Sequence, residues 1–244
     1  MLFKKHLYIA FATIFLFQSL ATAQKHQRIE KSIAIEYAYD SIAATDMMGQ
    51  LMFSKKRLLV YADADFFVIR SYSANPSPKT MDAIVLMVVQ DLKTGKAYSC
   101  MTIGDKKLRE VEPEKSQIIE SLFGDVADSS YTLTQTSAAT TPIKGFYCEK
   151  WHLAQADMVS PFLYLTKDLE AIEAIEKMPM FVRRDGKLLG LCLGNDTDFG
   201  ASIYRLRAQN VEIDKPQPIA EQLATFKDSN KEDMNKAIKK LLGF

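Results

Sequence analysis

Ile33, Ile35, Tyr37 and Tyr39 alternate with Ala34, Glu36, Ala38 and Asp40. This period-2 pattern with one apolar face predicts a β-strand. Leu51–Phe53, Leu58–Tyr61 and Phe66–Tyr72 continue in strand-forming residues after a turn at Asp46–Gly49. Ile84–Val89 is apolar at successive positions, as expected of a strand covered on both faces. Lys93-Thr94-Gly95-Lys96 and Asp105-Lys106-Lys107 read as turns, leading into strands at Ala97–Ile103 and Leu108–Val111. Further strands are expected at Tyr131–Thr136, Gly145–Ala154, Phe162–Thr166, Met180–Arg183, Leu188–Leu193 and Ser202–Ile213. Asp185-Gly186 at the centre of Arg184–Lys187 marks a tight hairpin. Asn75–Pro78 and Asn195–Asp198 with Gly200 read as loops.

Three stretches carry helical spacing instead. Ile118, Ile119, Leu122 and Phe123 fall within Glu114–Phe123, and Leu169, Ile172, Ile175 and Met178 within Asp168–Met178. At the C-terminus, over about 230–242, Met234, Ala237, Ile238, Leu241 and Leu242 make one stripe, with Ser229 and Glu232 placed for a capping box. That stripe is expected to dock on the body. Helices do not alternate with strands, which disfavours a doubly wound sheet. The expected class is α+β: a large antiparallel sheet with two or three helices in a single domain, residues 24–244.

The first 23 residues change the picture of where this domain works. Lys4 and Lys5 precede an apolar run from Leu7 to Leu20, and Ala21-Thr22-Ala23 supplies small residues before Gln24. This is the layout of a signal peptide cut after Ala23, and the run falls short of the roughly 20 apolar residues of a membrane span. No second long apolar run exists, and no cysteine stands at the cut for lipid attachment. A periplasmic or secreted protein is therefore expected. Without Lys4 and Lys5 the chain holds 29 basic against 30 acidic residues, which gives no basic surface for nucleic acid. Cys100, Cys148 and Cys192 each have apolar neighbours. They read either as small buried hydrophobes or as one disulfide that includes Cys148 and leaves a thiol over.

Thr141–Trp151 contains Ile143-Lys144-Gly145-Phe146-Tyr147-Cys148-Glu149-Lys150. It resembles the I-x-G-[YF]-x-C-x-K strand of small exported bacterial proteins grouped with the LolA/LolB-like lipoprotein carriers. Tyr164-Leu165-Thr166-Lys167-Asp168-Leu169 stands where those proteins have Y-x-T-x-D-L. Met180–Leu193 and Ser202–Ile213 take the places of the following hairpin and closing strand. The resemblance spans roughly residues 131 to 213. One departure is the lack of a proline in Gly186–Leu193, where a related exported family has G-L-P-G-L-I-L. The resemblance implies a strongly curved antiparallel sheet, a half-open barrel with helices plugging its mouth, whose concave face holds acyl chains. It transfers no catalytic residue.

Candidate chemistry is sparse. After the leader only His26 and His152 remain. Cys148, Lys150 and His152 share one strand face, but Cys148 and His152 stand about 14 Å apart by strand rise, too far for a nucleophile–base pair. No G-x-S-x-G, H-E-x-x-H or phosphate-loop motif occurs. Asn195-Asp196-Thr197-Asp198 lacks the glycine and closing glutamate of a calcium loop. No metal, cofactor or catalytic group is assigned, and a non-enzyme is expected. What remains is apolar surface: Ile35, Tyr37, Tyr39, Phe146, Phe162, Tyr164 and Met180 are the candidate ligand-binding residues. Arg183-Arg184 and Arg205/Arg207 are cations that can meet an anionic head group or lie on a solvated strand face. The expected function is an envelope binding or carrier protein for a lipid or lipoprotein acyl chain. The alternative is a protein–protein interaction module using a sheet edge or the C-terminal helix.

Overall fold

Arg184-Asp185-Gly186-Lys187 turns the chain as its sequence predicts. Asp185 and Gly186 take φ of 50° and 74°, the left-handed pair that matches the twist of a two-residue hairpin and that glycine adopts without penalty. Such turns string together most of the molecule. The computed structural model describes residues 26–44, 56–76, 80, 83–112, 131–155, 161–198 and 202–242. The predicted leader, the turn at 46–49, the strand at 51–53 and the helix at 114–123 lie outside the described residues.

The strands are β1 (Gln27–Ile29), β2 (Ser32–Ala44), β3 (Lys56–Asp63), β4 (Phe66–Ser73), β5 (Ile84–Asp91), β6 (Ala97–Ile103), β7 (Lys106–Glu112), β8 (Tyr131–Ile143), β9 (Phe146–Gln155) and β10 (Phe162–Thr166). They continue as β11 (Leu169–Ala171), β12 (Phe181–Arg184), β13 (Lys187–Asp198), β14 (Ser202–Ile213) and β15 (Lys227–Asp228). The helices are α1 (Glu173–Glu176), α2 (Ile219–Ala224) and α3 (Lys231–Leu242). One sheet runs in the order β15-β7-β6-β5-β4-β3-β2-β14-β13-β10-β9-β8, with β12 added beside β13. It is antiparallel except where the short β15 joins β7 in parallel. β1 and β11 form a separate parallel pair. Among the described residues the sheet does not close, because β15 and β8 end it without pairing to each other.

The core shows how the sheet bends. Ile33, Ile35 and Tyr37 of β2 share a face, by register, with Val60 of β3, Ile69 of β4 and Val88 of β5. These residues lie in one apolar cluster with Cys148 of β9, Tyr164 of β10 and Leu191 of β13. In sheet order β9 is the seventh strand on from β5, and neighbouring strands are about 4.8 Å apart. Their side chains can join one cluster only if the sheet curls into a trough. Ile29, Leu169, Ile175, Met178 and Met180 fill one end of this trough. These five come from β1, β11, α1 and the segment after it, so the plug is a β-pair with one helical turn. Each fully buried Ile, Leu or Met contributes roughly 1.5–3 kcal/mol. The convex face of β2–β6 carries Ala34, Tyr61, Val68, Met87, Val89 and Cys100 under Ile219 and Leu223 of α2. α3 lies on the concave side of β5–β7, where Met234 meets Ile84, Met101 and Ile103. The chain thus wraps around β7, from α2 on one face through edge strand β15 to α3 on the other.

Four expectations need correction. Asp168–Met178 is not one helix. Leu169–Ala171 pairs with β1, Gln27 N–H donates to Asp168 O (2.9 Å), and only Glu173–Glu176 is helical. Leu169, Ile175 and Met178 are all buried, so the plug reproduces helical spacing without being a helix. Asn195–Asp198 is not a loop but the end of β13, paired with Ile203–Leu206. The C-terminal helix has the expected bounds, Lys231–Leu242, but its cap is Asn230 and not Ser229: Asn230 Oδ1 accepts the Asp233 N–H at 2.9 Å. α2 was not expected; six residues are too short to show a period. The stripe of α3 does dock, with Met234 buried and Ala237, Ile238 and Leu241 packed beside it.

Candidate functional site

The seven candidate ligand residues divide between the two ends of the trough. Ile35, Tyr37 and Met180 are at 0%, 4% and 0% exposure, inside the packed core. Tyr37 donates its hydroxyl to Cys192 O at 2.7 Å, and burial raises its pKa well above the tyrosine value. Phe146 begins β9 at the plugged end and packs half-buried against the same core. Phe162 and Tyr164 lie together on β10 toward the opposite, open end, whereas Tyr39 stands in register with Leu206, Asn195 and Leu163 and so faces the other way.

At that end, register builds a cluster across four strands. Lys150 and His152 of β9 stand opposite Tyr164 and Phe162 of β10. Phe162 and Tyr164 stand opposite Asp196 and Gly194 of β13, and Asp196 and Gly194 opposite Arg205 and Arg207 of β14. Opposed residues in antiparallel strands share a face. The alternation Lys150/His152, Phe162/Tyr164 and Arg205/Arg207 thereby becomes one surface.

Arg207 is its anchor. Its guanidinium lies 4.1 Å over the Tyr164 ring and donates to Asp196 Oδ1 (2.5 Å), Asn195 O (2.9 Å) and Leu206 O (2.8 Å). Gly194 makes room for it: a Cβ there would meet Leu206 O at 2.7 Å and Arg207 Cδ at 3.0 Å. The Tyr164 hydroxyl donates to Asp196 Oδ2 at 2.8 Å. Burial, then the bond to Asp196, raises the Tyr164 pKa, so the phenol stays a donor at neutral pH. Lys150 Nζ is 4.3 Å from the Phe162 centroid, 5.7 Å from that of Tyr164 and 4.0 Å from Asp196 Oδ2. His152 stacks on Phe162 at 4.8 Å, and Tyr39 meets Tyr204 edge to face at 6.2 Å. Among the described residues Arg207 and Lys150 outnumber Asp196 on this aromatic surface. It can hold an anion beside apolar matter.

Leu86, on β5, is a separate apolar exposure. It pairs with Ser71, which pairs with Leu58, which pairs with Tyr37, so all four side chains point to the concave face. Yet Leu86 is 52% exposed.

Nucleophilic chemistry finds little purchase. Burial pushes the Cys148 thiol up to about 12, and His152 lies against Phe162 rather than Cys148. Among the described residues no three His, Cys, Asp or Glu side chains converge on a metal position. The three cysteines are free thiols. Cys148 and Cys192 flank β10 on β9 and β13, about 10 Å apart by strand spacing and beyond bridging reach.

Sequence reasoning singled out Phe162 and Tyr164 but not Asp196 and Gly194, and it left Arg207 between two roles. The signal present was the two-residue spacing of charged and aromatic side chains in three separate strands. Which strands adjoin was not readable.

No family model matches the chain, and no curated protein matches it. Among solved structures it is similar to PNGF-II, with TM-score 0.44, 12% identity and coverage of 86% of this chain and 33% of that one. It is similar to MucB, with TM-score 0.43, 12% identity and coverage of 81% and 57%. A third similarity is to a beta-barrel-like protein of domain of unknown function DUF1849 from Brucella abortus, with TM-score 0.28, 9% identity and coverage of 78% and 99%. The chain spans about a third of the length of PNGF-II.

Proposed function

We propose that this protein is a non-catalytic binding protein of the cell envelope, carrying an amphiphile such as a lipid or a lipoprotein acyl chain on the open end of its LolA/LolB-like trough. The observation that carries this reading is Leu86: a leucine half exposed on the concave face of a sheet whose other end is tightly filled. Burying such a side chain against an acyl chain gains roughly 25 cal/mol per Å² of apolar surface. Phe162 and Tyr164 supply the aromatic wall, while Ile35, Tyr37 and Met180 form the floor rather than the contact surface; Tyr39 lies by register on the other face, against Tyr204. The leader at 1–23 delivers the chain to that compartment.

The test is native mass spectrometry of the exported protein after gentle purification, with displacement of the apolar dye N-phenyl-1-naphthylamine as a second readout. An adduct of lipid mass and a dye signal lost in Leu86→Asp are expected. A bare protein mass with no dye signal in the wild type would overturn the reading.

A second reading, a module that binds a protein, is favoured by β8. This thirteen-residue strand ends the sheet, and among the described residues no strand pairs with its outer side. A partner would add a strand there. The α3 version of that reading is weaker, because the helix has already spent its apolar stripe on β5–β7.

A further inference from the structure

We infer that the ligand of the open end is anionic, and that Lys150, with Arg205 beside it, receives its phosphate or carboxylate group; this rests on the amphiphile reading above. The cations of the cluster are not equivalent. Arg207 is occupied: its hydrogen bonds go to Asp196, Asn195 and Leu206, its plane lies on Tyr164, and its side chain is 14% exposed. Lys150 is positioned but, among the described residues, donates no hydrogen bond. Its ammonium stands 4.0 Å from Asp196, beyond hydrogen-bonding distance, and a third of its side chain (34%) reaches solvent.

The other described lysines in ion pairs behave differently. Those of Lys93, Lys167, Lys177, Lys215 and Lys236 lie 2.6–3.1 Å from their carboxylates. They are also more than half exposed, where an ion pair contributes little. Lys150 instead rests over the faces of Phe162 and Tyr164. Cation–π attraction fixes the ammonium while leaving its N–H groups free to donate. Arg205 stands opposite Asp196 in register and is exposed. With Asp196 neutralised by Arg207, Lys150 and Arg205 leave two positive charges beside the aromatic wall among the described residues. An anion with an apolar tail satisfies both.

The experiment titrates the full mature chain with dodecyl phosphate, its neutral counterpart 1-monolaurin, and inorganic phosphate. The variants are Lys150→Met, Lys150→Arg and Lys150→Met/Arg205→Gln, with Lys227→Met on β15 as a remote control. Charge-assisted hydrogen bonds discriminate by about tenfold or more. Dodecyl phosphate should therefore bind about tenfold tighter than monolaurin. Lys150→Met should lose that advantage, the double variant more, Lys150→Arg should retain most of it, and Lys227→Met should match the wild type. Equal affinity for the two amphiphiles, or an unchanged Lys150→Met, overturns the inference and leaves the amphiphile reading standing. Binding of neither amphiphile overturns the reading itself. Inorganic phosphate binding as tightly as dodecyl phosphate supports the Lys150 anion site and overturns the acyl chain.

Discussion

A Cβ on Gly194 would lie 2.7 Å from the Leu206 carbonyl oxygen and 3.0 Å from Arg207 Cδ. The carbonyl belongs to β14, which pairs with β13 at this point, so it cannot move aside without breaking the ladder. Arg207 can swing away, but only by leaving the Tyr164 ring and the 2.5 Å bond to Asp196. Asp196, at 16% side-chain exposure, would then keep a poorly compensated charge. Gly194→Ala should therefore destabilise by about 1–3 kcal/mol, a fall in Tm of roughly 2–4 °C per kcal/mol for a domain of this size. Thermal denaturation followed by circular dichroism measures it. An unchanged Tm would mean that the guanidinium is not held where it lies. In the sequence Gly194 falls between the expected strand at Leu188–Leu193 and the expected loop at Asn195–Asp198. Nothing local says that an arginine from the next strand crosses it.

At the scale of elements, much was legible wherever the period was unambiguous. β2 announces itself through Ile33, Ile35 and Tyr37, and α3 through Met234, Ala237 and Ile238, because in each the large apolar side chains recur on one face of a regular backbone. The plug misleads for the converse reason. Leu169, Ile175 and Met178 are buried from several directions at once, so their spacing reflects the cavity they fill and not the backbone they ride on. The binding cluster was illegible for a third reason: it depends on β9, β10, β13 and β14 lying side by side, and strand order is a non-local property. One junction between elements gives a pH test. Asp214, at φ 56°, follows β14 and accepts the N–H groups of Lys31 (2.7 Å), Glu30 (2.9 Å) and Ser32 (3.3 Å) at the start of β2. The Lys31 bond, joined by the other two, holds its carboxyl below the ordinary value of 3.8. A depressed carboxyl stabilises above its unfolded pKa and loses that contribution as pH falls through the folded one. Asp214→Asn, which keeps a residue tolerant of positive φ, should lower stability at pH 7 and flatten its decline below pH 3.8. Urea unfolding at pH 7 and at pH 3 measures both. Parallel curves for the two proteins would remove the charge from the account.

The whole molecule can be read through its thiols, which sample distant parts of one sheet. Cys100 lies under α2 on the convex face, while Cys148 faces the trough on β9. Burial pushes Cys100 and Cys148 up to about 12 and Cys192 to about 11, against 9.0 for a free thiol. An acid whose pKa is raised by folding stabilises fully below its unfolded value and loses that contribution as pH rises toward the folded one. Stability should therefore decline from about pH 9 upward, and replacing all three cysteines with alanine should soften that decline at some cost in packing at neutral pH. The same burial governs reactivity, because alkylation needs both access and a thiolate. At pH 8 iodoacetamide should modify none of the three in the folded protein over a time that labels the urea-unfolded chain completely. The order of labelling in dilute urea then tests cooperativity. The core cluster spans β2–β5 and β8–β13, on both sides of the β2–β14 seam, so the two halves of the sheet should open together and Cys100 should react in step with Cys148. Early labelling of Cys148 and Cys192 with Cys100 still protected would show instead that β8–β13 opens on its own, and the trough would then be two units sharing a seam.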